Sequence, residues 1–292
     1  VGRQAHWANL LPRFRRHLPN TTKPTVINIL DRRFTQLLLG MTAAASGGEA
    51  ELREHPSVLG IVTPVSPLKV AEMNEGIVDA VAAGVPILYS PGPMMAASGP
   101  ATVAGTLALT TAEVLFGVVL TQLLRPGAPV VLKPDTDVFD MRTSQCTYGS
   151  PEQNLGKAAM AQMARHYGLP IYSLGGGVEG KTPDAEAASE AMMSMLLNAL
   201  AGVNLNQSLG SMAFGLYGCQ EMVVICDELA RMVRHVLRGI TVDDDTLALD
   251  AIRQAGPGGS FLGSDHTVRH FRSELYFPQL FRRQTIEQWT EA

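Results

Sequence analysis

Residues 149–210 decide the fold, and they read GSPEQNLGKAAMAQMARHYGLPIYSLGGGVEGKTPDAEAASEAMMSMLLNALAGVNLNQSLG. Two short apolar runs, Leu169–Leu174 and Val203–Leu209, alternate there with two segments of helical periodicity. Short continuous apolar runs are typical of strands buried on both faces of a parallel sheet. Each run ends in small or amide residues, and parallel α/β enzymes carry their chemistry at these strand ends. The segment therefore predicts two strand–helix units of such an enzyme.

The same alternation extends through most of the chain. Predicted strands are Thr25–Leu30, Val58–Val62, Ile87–Tyr89, Val130–Leu132, Pro170–Ser173 and Val203–Leu205. Predicted helices between them are Arg33–Ala45, Leu68–Ala83, Thr102–Leu124, Glu152–Tyr167 and Asp184–Leu200. Strand starts recur at roughly the 30–40 residues of one βα unit, which favours a TIM (β/α)8 barrel. Six units are visible, so the first units of the barrel are expected ahead of Val1. An open doubly wound sheet is the alternative, although no dinucleotide fingerprint follows the first strand.

The ends of the chain depart from this alternation. Residues 1–24, with a loosely helical part over Trp7–Asn20, form an N-terminal extension or a fragment of an upstream unit. Residues 25–292 are expected to form the barrel and its C-terminal helices. These helices are predicted at Glu221–Val236 and Thr246–Gln254, and Asp243 begins the second as its N-cap.

Composition narrows the class of protein. The chain has 292 residues, of which 46% are hydrophobic and 17% charged, which excludes a disordered protein. A net charge of −4 and the lack of a basic run argue against nucleic acid as a partner. Three cysteines without a CxxC pair, and no visible signal peptide, predict a cytoplasmic protein. The apolar fraction is consistent with a homo-oligomer.

One segment requires a membrane test. Ala101–Leu124 is long enough to span a bilayer, but Glu113 lies at its centre. An ionised carboxylate at mid-bilayer costs about 2.5–3.5 kcal/mol on insertion scales. We therefore expect a buried helix of a soluble domain and no membrane as partner.

The strand ends supply candidate site residues. They form a mostly neutral set that includes Tyr89, Tyr172, Asn204 and Asn206, with Lys133 as the one lysine. Metal hydrolases would need clustered His and Asp there, and glycosidases two placed acids. Each candidate has an ordinary structural alternative: tyrosines pack in cores, amides tie down loops, and a loop lysine stays solvated. Lys133 as a Schiff-base former is the other reading.

Two further features are ambiguous from sequence. Gly175, Gly176 and Gly177 suit either a phosphate-binding loop or a close approach of the backbone to a bulky ligand. His266 and His270 share one face of a helix if that segment is helical, but no third ligand lies nearby. We expect no metal site there.

Several long motifs carry a family resemblance. They are Pro91–Val130, the DMRT sequence at Asp140–Thr143, GSPE at Gly149–Glu152, ARHYGLP at Ala164–Pro170 and Phe261–Leu280. In these motifs, and over nearly the whole chain from Pro24 onward, the sequence resembles the trimethylamine methyltransferase (MttB) family. The resemblance implies a (β/α)8 barrel that moves a methyl group from a methylated or quaternary amine to the Co(I) of a corrinoid protein. No cofactor would be held tightly, because the partner protein supplies the corrinoid.

The resemblance also bears on the substrate. Archaeal trimethylamine enzymes carry pyrrolysine, whereas many bacterial relatives lack it and use quaternary amines such as glycine betaine. Here the Tyr172–Lys181 region, near the expected pyrrolysine position, contains only ordinary residues, Gly175–Gly177 among them. This favours a betaine-like substrate and a non-pyrrolysine member of the family.

We predict binding roles for residues of two kinds. Cation–π contacts to the substrate would come from Tyr89, Tyr172 or Phe214, each contributing about 0.5–2 kcal/mol. Donors to a betaine carboxylate would be Asn204, Asn206, His266 or Arg269. Two alternatives stay open: a non-catalytic barrel that binds quaternary amines, and a lyase or aldolase that uses Lys133.

Overall fold

The described strands form four sheets, two of which are wholly parallel. The computed structural model describes residues 2–70 and 74–290, with side chains from residue 10 onward. The strands are β1 (Thr25–Asn28), β2 (Val58–Val62), β3 (Ile87–Tyr89), β4 (Met94–Met95), β5 (Val130–Leu132), β6 (Asp137–Asp140), β7 (Gln145–Thr147), β8 (Tyr172–Leu174), β9 (Leu205–Gln207), β10 (Ser211–Met212) and β11 (Tyr217–Gly218). Strands β1, β2, β3 and β5 pair in parallel in that order, and β8 pairs in parallel with β9. A parallel bridge between Leu132 and Ile171 joins the two groups.

Helices follow these strands. They are α1 (Gly2–His17), α2 (Arg32–Ser46), α3 (Glu49–Glu54), α4 (Ile77–Ala82), α5 (Val103–Leu124), α6 (Pro151–His166), α7 (Ala185–Ala201), α8 (Gln220–Leu237), α9 (Asp244–Leu247), α10 (Leu249–Ala255), α11 (Asp265–Glu274) and α12 (Ile286–Thr290). Each of α2, α4, α5, α6, α7 and α8 follows one of the six parallel strands, and neighbours in this series pack together.

The six parallel strands stand in sequence order, each followed by a helix. A doubly wound sheet would reverse its strand order at a switch point, whereas a barrel wall does not. The predicted (β/α)-barrel class is therefore confirmed. Within residues 2–70 and 74–290, no ladder joins β9 to β1.

Alternation along the strands decides which side chains face the helices. Ile27, Val58 and Ile87 belong to one buried cluster with Phe34 and Leu38 of α2. Farther along the wall, Leu132 and Ile171 pack with Val114, Met160 and Ala164 of α5 and α6. A strand has a period of two, so the residues next to these face the inner side of the wall. Those inner positions include Leu88, Val131, Lys133 and Tyr172.

Two predicted helices differ from the structure. The helix predicted over Leu68–Ala83 begins only at Ile77, and residues 71–73 lie outside the described residues. Val65 and Lys69 instead pair across a turn, and the Leu68 amide donates to the Glu113 carboxylate at 2.6 Å. Such contacts compete with helix formation because they use the backbone groups a helix would pair internally.

The second difference lies near the C-terminus. The helix predicted over Thr246–Gln254 is split into α9 and α10 at Ala248, whose φ of 53° is left-handed. The predicted N-cap is confirmed, since the Asp243 side chain accepts from the Thr246 amide. Predicted strands at Pro170–Ser173 and Val203–Leu205 lie one or two residues later in the structure, as β8 and β9.

Three short strands outside the strand–helix alternation, β4, β6 and β7, were not predicted. Strands β6 and β7 form an antiparallel hairpin, and β4 pairs in parallel with β6. The hairpin begins at Asp137, directly after the carboxyl end of β5. It therefore brings further polar residues to the strand ends.

Helix α5 is the one described helix long and apolar enough to cross a membrane by length and composition. It lies in the helix layer between α4 and α6. Its Glu113 is 4% exposed and accepts hydrogen bonds from the Ser66 hydroxyl and the Leu68 amide. Only 28% of the most apolar stretch of α5 is buried, so the expectation of a buried helix in a soluble domain stays a prediction. Phe116, Val119 and Leu123 are exposed on its outer face; the homo-oligomer stays a prediction.

Candidate functional site

A charged cluster lies at the carboxyl end of β5. The Lys133 ammonium is 2.5 Å from Asp135 Oδ2, and the lysine is almost fully buried. The Ser90 hydroxyl, at the end of β3, donates to the same carboxylate at 3.4 Å. Buried charges are retained when they are paired and hydrogen-bonded, and this pair meets both conditions. Lys133 and Asp135 therefore hold each other at the strand ends.

A second chain of polar contacts continues from this pair. Lys157 Nζ donates to Gln153 Oε1 at 2.8 Å, and Gln153 Nε2 donates to Asp137 Oδ1 at 2.8 Å. Gln153 and Lys157 lie one turn apart on α6, and both are buried. Burial and the neighbouring Asp135 raise the pKa of Asp137 to about 6. Burial lowers the pKa of Lys157 to about 8.

Aromatic rings adjoin this cluster. Tyr148 and Phe214 meet edge to face, with ring centroids 6.4 Å apart. Burial, followed by the charge of Asp137, raises the pKa of Tyr148. Burial and Asp135 likewise raise the pKa of Tyr172, so both tyrosines lie within electrostatic reach of the carboxylates. The Lys181 ammonium stands 4.9 Å from the centroid of the Phe214 ring.

Two glutamates shape the adjoining loop. Glu190 Oε2 accepts from the backbone amides of Glu179 and Gly180 at 2.8 and 3.3 Å. Glu179 Oε1 accepts from the Gly149 amide at 3.4 Å. Burial, and then the charge of Glu190, raises the pKa of Glu179. These contacts tie the loop after β8 to the start of α6.

The triple glycine allows close packing. A Cβ on Gly175 would lie 2.5 Å from Asn206 Oδ1 and 2.8 Å from Asn198 Nδ2, which leaves room only for glycine. The Gly176 amide donates to the Ser194 hydroxyl of α7 at 2.9 Å. The Gly175 amide donates to the Gln207 carbonyl. These two amides are therefore engaged by the protein itself, and a binding role of the three glycines stays a prediction.

The two predicted asparagines also serve the fold. Asn204 Oδ1 accepts from the Ile171 amide at 2.9 Å. Asn206 Oδ1 accepts from Asn198 Nδ2 at 2.8 Å, which ties β9 to α7. Both side chains lie on the helix side of β9, since Leu205 between them faces the other way. The structure does not bring them together with Tyr172 on the inner side.

Tyr89 likewise faces the helix layer. Its ring lies against Gly117 of α5, and the ring of Phe116 is 6.3 Å away between centroids. Burial and Glu113 raise the pKa of Tyr89 to about 12. Tyr89, Glu113 and Phe116 line a small cavity of about 140 Å³ between the strand end and α5. This places Tyr89 outside the inner face that Tyr172 shares with Lys133.

The predicted histidine and arginine lie in the C-terminal segment. His266 Nε2 is 3.1 Å from the Asp245 carbonyl oxygen, and Arg269 donates to Asp245 Oδ1 at 3.1 Å. His270 Nε2 is 3.0 Å from Asp245 Oδ2. The ring centroids of His266 and His270 are 4.4 Å apart, with the rings tilted by 36°. His266 and Arg269 line a separate cleft of α9–α11, and the structure does not bring them to the ends of the parallel strands.

Metal-ligating residues do not converge in the described part of the chain: no group of three His, Cys, Asp or Glu side chains is placed to hold an ion. Cys146 of β7 lies beside the cluster, and burial raises the pKa of its thiol to about 12. A thiol kept protonated in this way is a poor nucleophile.

Sequence reasoning missed several residues of this site, which are Asp137, Tyr148, Gln153, Lys157, Glu179, Lys181 and Glu190. One signal could have found two of them. Gln153 and Lys157 fall on the face of α6 that also carries Met160 and Ala164, so the helical period buries two polar side chains. Buried polar side chains need partners, and the nearest strand end supplies them.

The geometry defines a (β/α)-barrel protein whose polar site lies at the carboxyl ends of its parallel strands, where barrel enzymes place their active sites. The site combines paired charges with aromatic rings. The model of the trimethylamine methyltransferase (MTTB) family matches residues 10–292. The chain belongs to this family, which confirms the resemblance seen in the sequence.

Individual relatives agree with the family. The trimethylamine methyltransferase MttB of Desulfitobacterium hafniense is 36% identical over 274 residues, covering 94% of this chain and 55% of the relative. The glycine betaine methyltransferase of the same species is 37% identical over 253 residues, covering 86% and 53%. The MttB of Methanosarcina barkeri is 36% identical over 247 residues, covering 84% and 50%. The chain thus spans about half the length of the curated relatives it matches.

Among solved structures, the 7,8-dihydropteroate synthase of Vibrio fischeri is similar with a TM-score of 0.49 and 12% identity. The match covers 82% of this chain and 77% of the synthase. The synthase of Coxiella burnetii has a TM-score of 0.42 at 10% identity, with 77% and 84% covered.

Proposed function

We propose that the protein takes part in moving a methyl group from a quaternary amine, such as glycine betaine, to the Co(I) of a corrinoid protein. One observation carries the proposal: in a chain of this family, Tyr148 and Tyr172 lie within electrostatic reach of the carboxylates Asp135 and Asp137 at the strand ends, and Phe214 meets the Tyr148 ring. Aromatic faces and carboxylates are the groups that bind an organic cation without needing its protons.

The proposed reaction needs little acid–base catalysis from this site. The C–N bond of a quaternary ammonium breaks with its electron pair remaining on nitrogen, so a neutral tertiary amine leaves without a proton donor. The corrinoid, a reactant brought by a partner protein, supplies the nucleophile that takes the methyl group. The chain's own residues would bind the cation, orient it and exclude water.

The carboxylate of a betaine needs its own partner. We assign it to Lys181, whose exposed ammonium lies beside the Phe214 ring. The predicted donors Asn204, Asn206, His266 and Arg269 are engaged elsewhere in the fold. A betaine lying over Phe214 would thus place its cation toward Tyr148 and its carboxylate toward Lys181.

The experiment is calorimetric titration with glycine betaine and with tetramethylammonium, followed by a methylation assay with a Co(I) corrinoid read by absorbance. We expect both cations to bind. Lys181→Met should weaken glycine betaine about three- to five-fold and leave tetramethylammonium unchanged. Lys23→Met is the matched control, because Lys23 is an exposed lysine just before β1. Absence of binding for both ligands would refute the proposal.

The same assays separate the two alternatives. A non-catalytic binder would show calorimetric binding without methylation of the corrinoid. A lyase or aldolase would be trapped by borohydride with a carbonyl substrate at Lys133. The contact of Lys133 with Asp135 opposes this second alternative, because an amine held in an ion pair is not available as a nucleophile.

A further inference from the structure

The contact chain from Lys157 to Asp137 has a fixed direction. An ammonium only donates hydrogen bonds, so Lys157 requires the oxygen of the Gln153 amide. The amide nitrogen must then face Asp137, and it donates to Oδ1. Lys157 therefore determines which end of the Gln153 amide meets the Asp137 carboxylate, although Lys157 itself is almost fully buried.

The surrounding structure holds this chain in place. A Cβ on Gly156 would lie 2.5 Å from Thr136 Oγ1, so α6 approaches the loop between Asp135 and Asp137 as closely as glycine allows. The Thr136 hydroxyl also donates to the Gln153 carbonyl at 3.3 Å. Gln153 has 0% and Lys157 1% of its surface exposed, so water cannot replace either partner.

We propose that Lys157 is a positioning residue which, through Gln153, keeps the Asp137 carboxylate ionised and aimed at the site, and so sets the affinity of the site for cationic amines. The link to amines rests on the proposed function; the effect on Asp137 does not.

The charged groups around Asp137 decide whether its carboxyl group is ionised. Titratable groups facing Asp137 come from every adjoining element: Lys133 and Asp135 after β5, Cys146 of β7, Tyr148 before α6, Lys157 of α6 and, beyond Cys146, Glu179. Lys133 and Lys157 favour the ionised Asp137, whereas Asp135 and burial oppose it. Removing Lys157 takes away one of the two favourable charges and frees Gln153 to turn.

Two variants test the chain of contacts. Lys157→Met keeps the length of the side chain and removes the charge. Gln153→Met keeps Lys157 and removes the bridge. The first measurement is the pH midpoint of the Asp137 carboxyl, followed by carbon NMR in the ligand-free protein. The second is the Kd of tetramethylammonium at several pH values between 5.5 and 8. Lys23→Met is the control.

We expect the Asp137 midpoint to rise by about one to two pH units in both variants, because a charge-assisted contact is lost. At pH 7 this leaves a smaller ionised fraction, so tetramethylammonium should bind about two- to ten-fold more weakly. At pH 8 the loss should shrink. A purely structural role of Lys157 would lower the melting temperature and leave the midpoint unchanged.

The outcomes separate the inference from the proposed function. An unchanged Asp137 midpoint in both variants overturns the inference, whatever the ligand does. A raised midpoint with unchanged tetramethylammonium affinity overturns the link to cationic amines. If the wild-type protein binds no cation while the midpoint still rises, the proposed function falls and the positioning of Asp137 stands.

Discussion

The placement of Tyr89 against α5 can be tested with one added methyl group. A Cβ built on Gly117 would lie 2.1 Å from Tyr89 Cγ, 2.2 Å from Cδ1 and 2.7 Å from Cβ. These atoms form the root of a buried ring, so they cannot swing away as the end of a flexible chain would. Gly117→Ala therefore forces either Tyr89 or α5 to move.

The expected free-energy change has two opposing parts. Overpacking a buried contact costs about 1–3 kcal/mol. Replacing a helix-interior glycine by alanine gains about 0.5–1 kcal/mol. Gly117→Ala should thus destabilise the protein by up to about 2.5 kcal/mol, which lowers the melting temperature by up to about 10 °C in a chain of this size.

A matched control lies in α2. A Cβ on Gly40 would meet no atom within 4 Å, so Gly40→Ala keeps only the favourable part. It should raise the melting temperature by about 1–4 °C. Both variants are followed by thermal unfolding with circular dichroism at 222 nm. In a Tyr89→Ala background, the cost of Gly117→Ala should fall, which measures the coupling between the two positions.

A particular result would refute this reasoning. If Gly117→Ala stabilises the protein as much as Gly40→Ala does, the Tyr89 ring does not pack on α5. Tyr89 would then face the inner side of the wall, where the sequence alone placed it among the substrate contacts.

Two further predictions concern the C-terminal segment and the Asp137 carboxyl. The buried Glu228 carboxylate accepts hydrogen bonds from the Tyr276 hydroxyl and from the Gln279 and Leu280 amides. Glu228→Ala removes these contacts and should speed tryptic cleavage at Arg282 about ten-fold. Glu221→Ala, on the same helix, is the control and should leave the cleavage rate unchanged. Asp137 has a folded pKa of about 6, above its ordinary 3.8, so its contribution to stability is full below pH 4 and is lost as the pH rises through 6. Asp137→Asn should therefore gain stability relative to wild type between pH 4.5 and 7; an equal offset in melting temperature at both pH values would contradict this.

The repeated strand–helix units could be predicted from the sequence because each unit buries its strand and therefore has an apolar run. Strands Val58–Val62, Ile87–Tyr89 and Val130–Leu132 have the predicted bounds, since continuous apolar runs have few other uses in a soluble chain. The helix predicted from Leu68 failed because Glu113, distant in sequence, captures the Leu68 amide. Local periodicity contains no information about such a partner.

The candidate site could be predicted from the sequence only in part. Strand ends could be located, but the sequence does not show which face of β9 meets the helices. Asn204 and Asn206 share one face by the period of two, and in the structure Asn206 on that face is a partner of Asn198 of α7. The charged cluster escaped notice because Lys133, Asp137 and Lys157 come from a strand end, a hairpin and a helix, and each alone resembles an ordinary surface charge.

The charge balance of the cluster suits a reaction that moves a methyl group and no proton. The formal charges of Lys133, Asp135, Asp137 and Lys157 sum to zero, so a cation entering beside them is attracted by the nearby Asp137 carboxylate and by the faces of Tyr148, Tyr172 and Phe214. Attraction of this kind depends on the positive charge of the ligand. Once the methyl group leaves, the product amine is neutral and that attraction disappears, while the ion pairs of the cluster are unchanged. A site built this way would favour the cationic substrate over its neutral product, and product release would require no rearrangement of the charged residues.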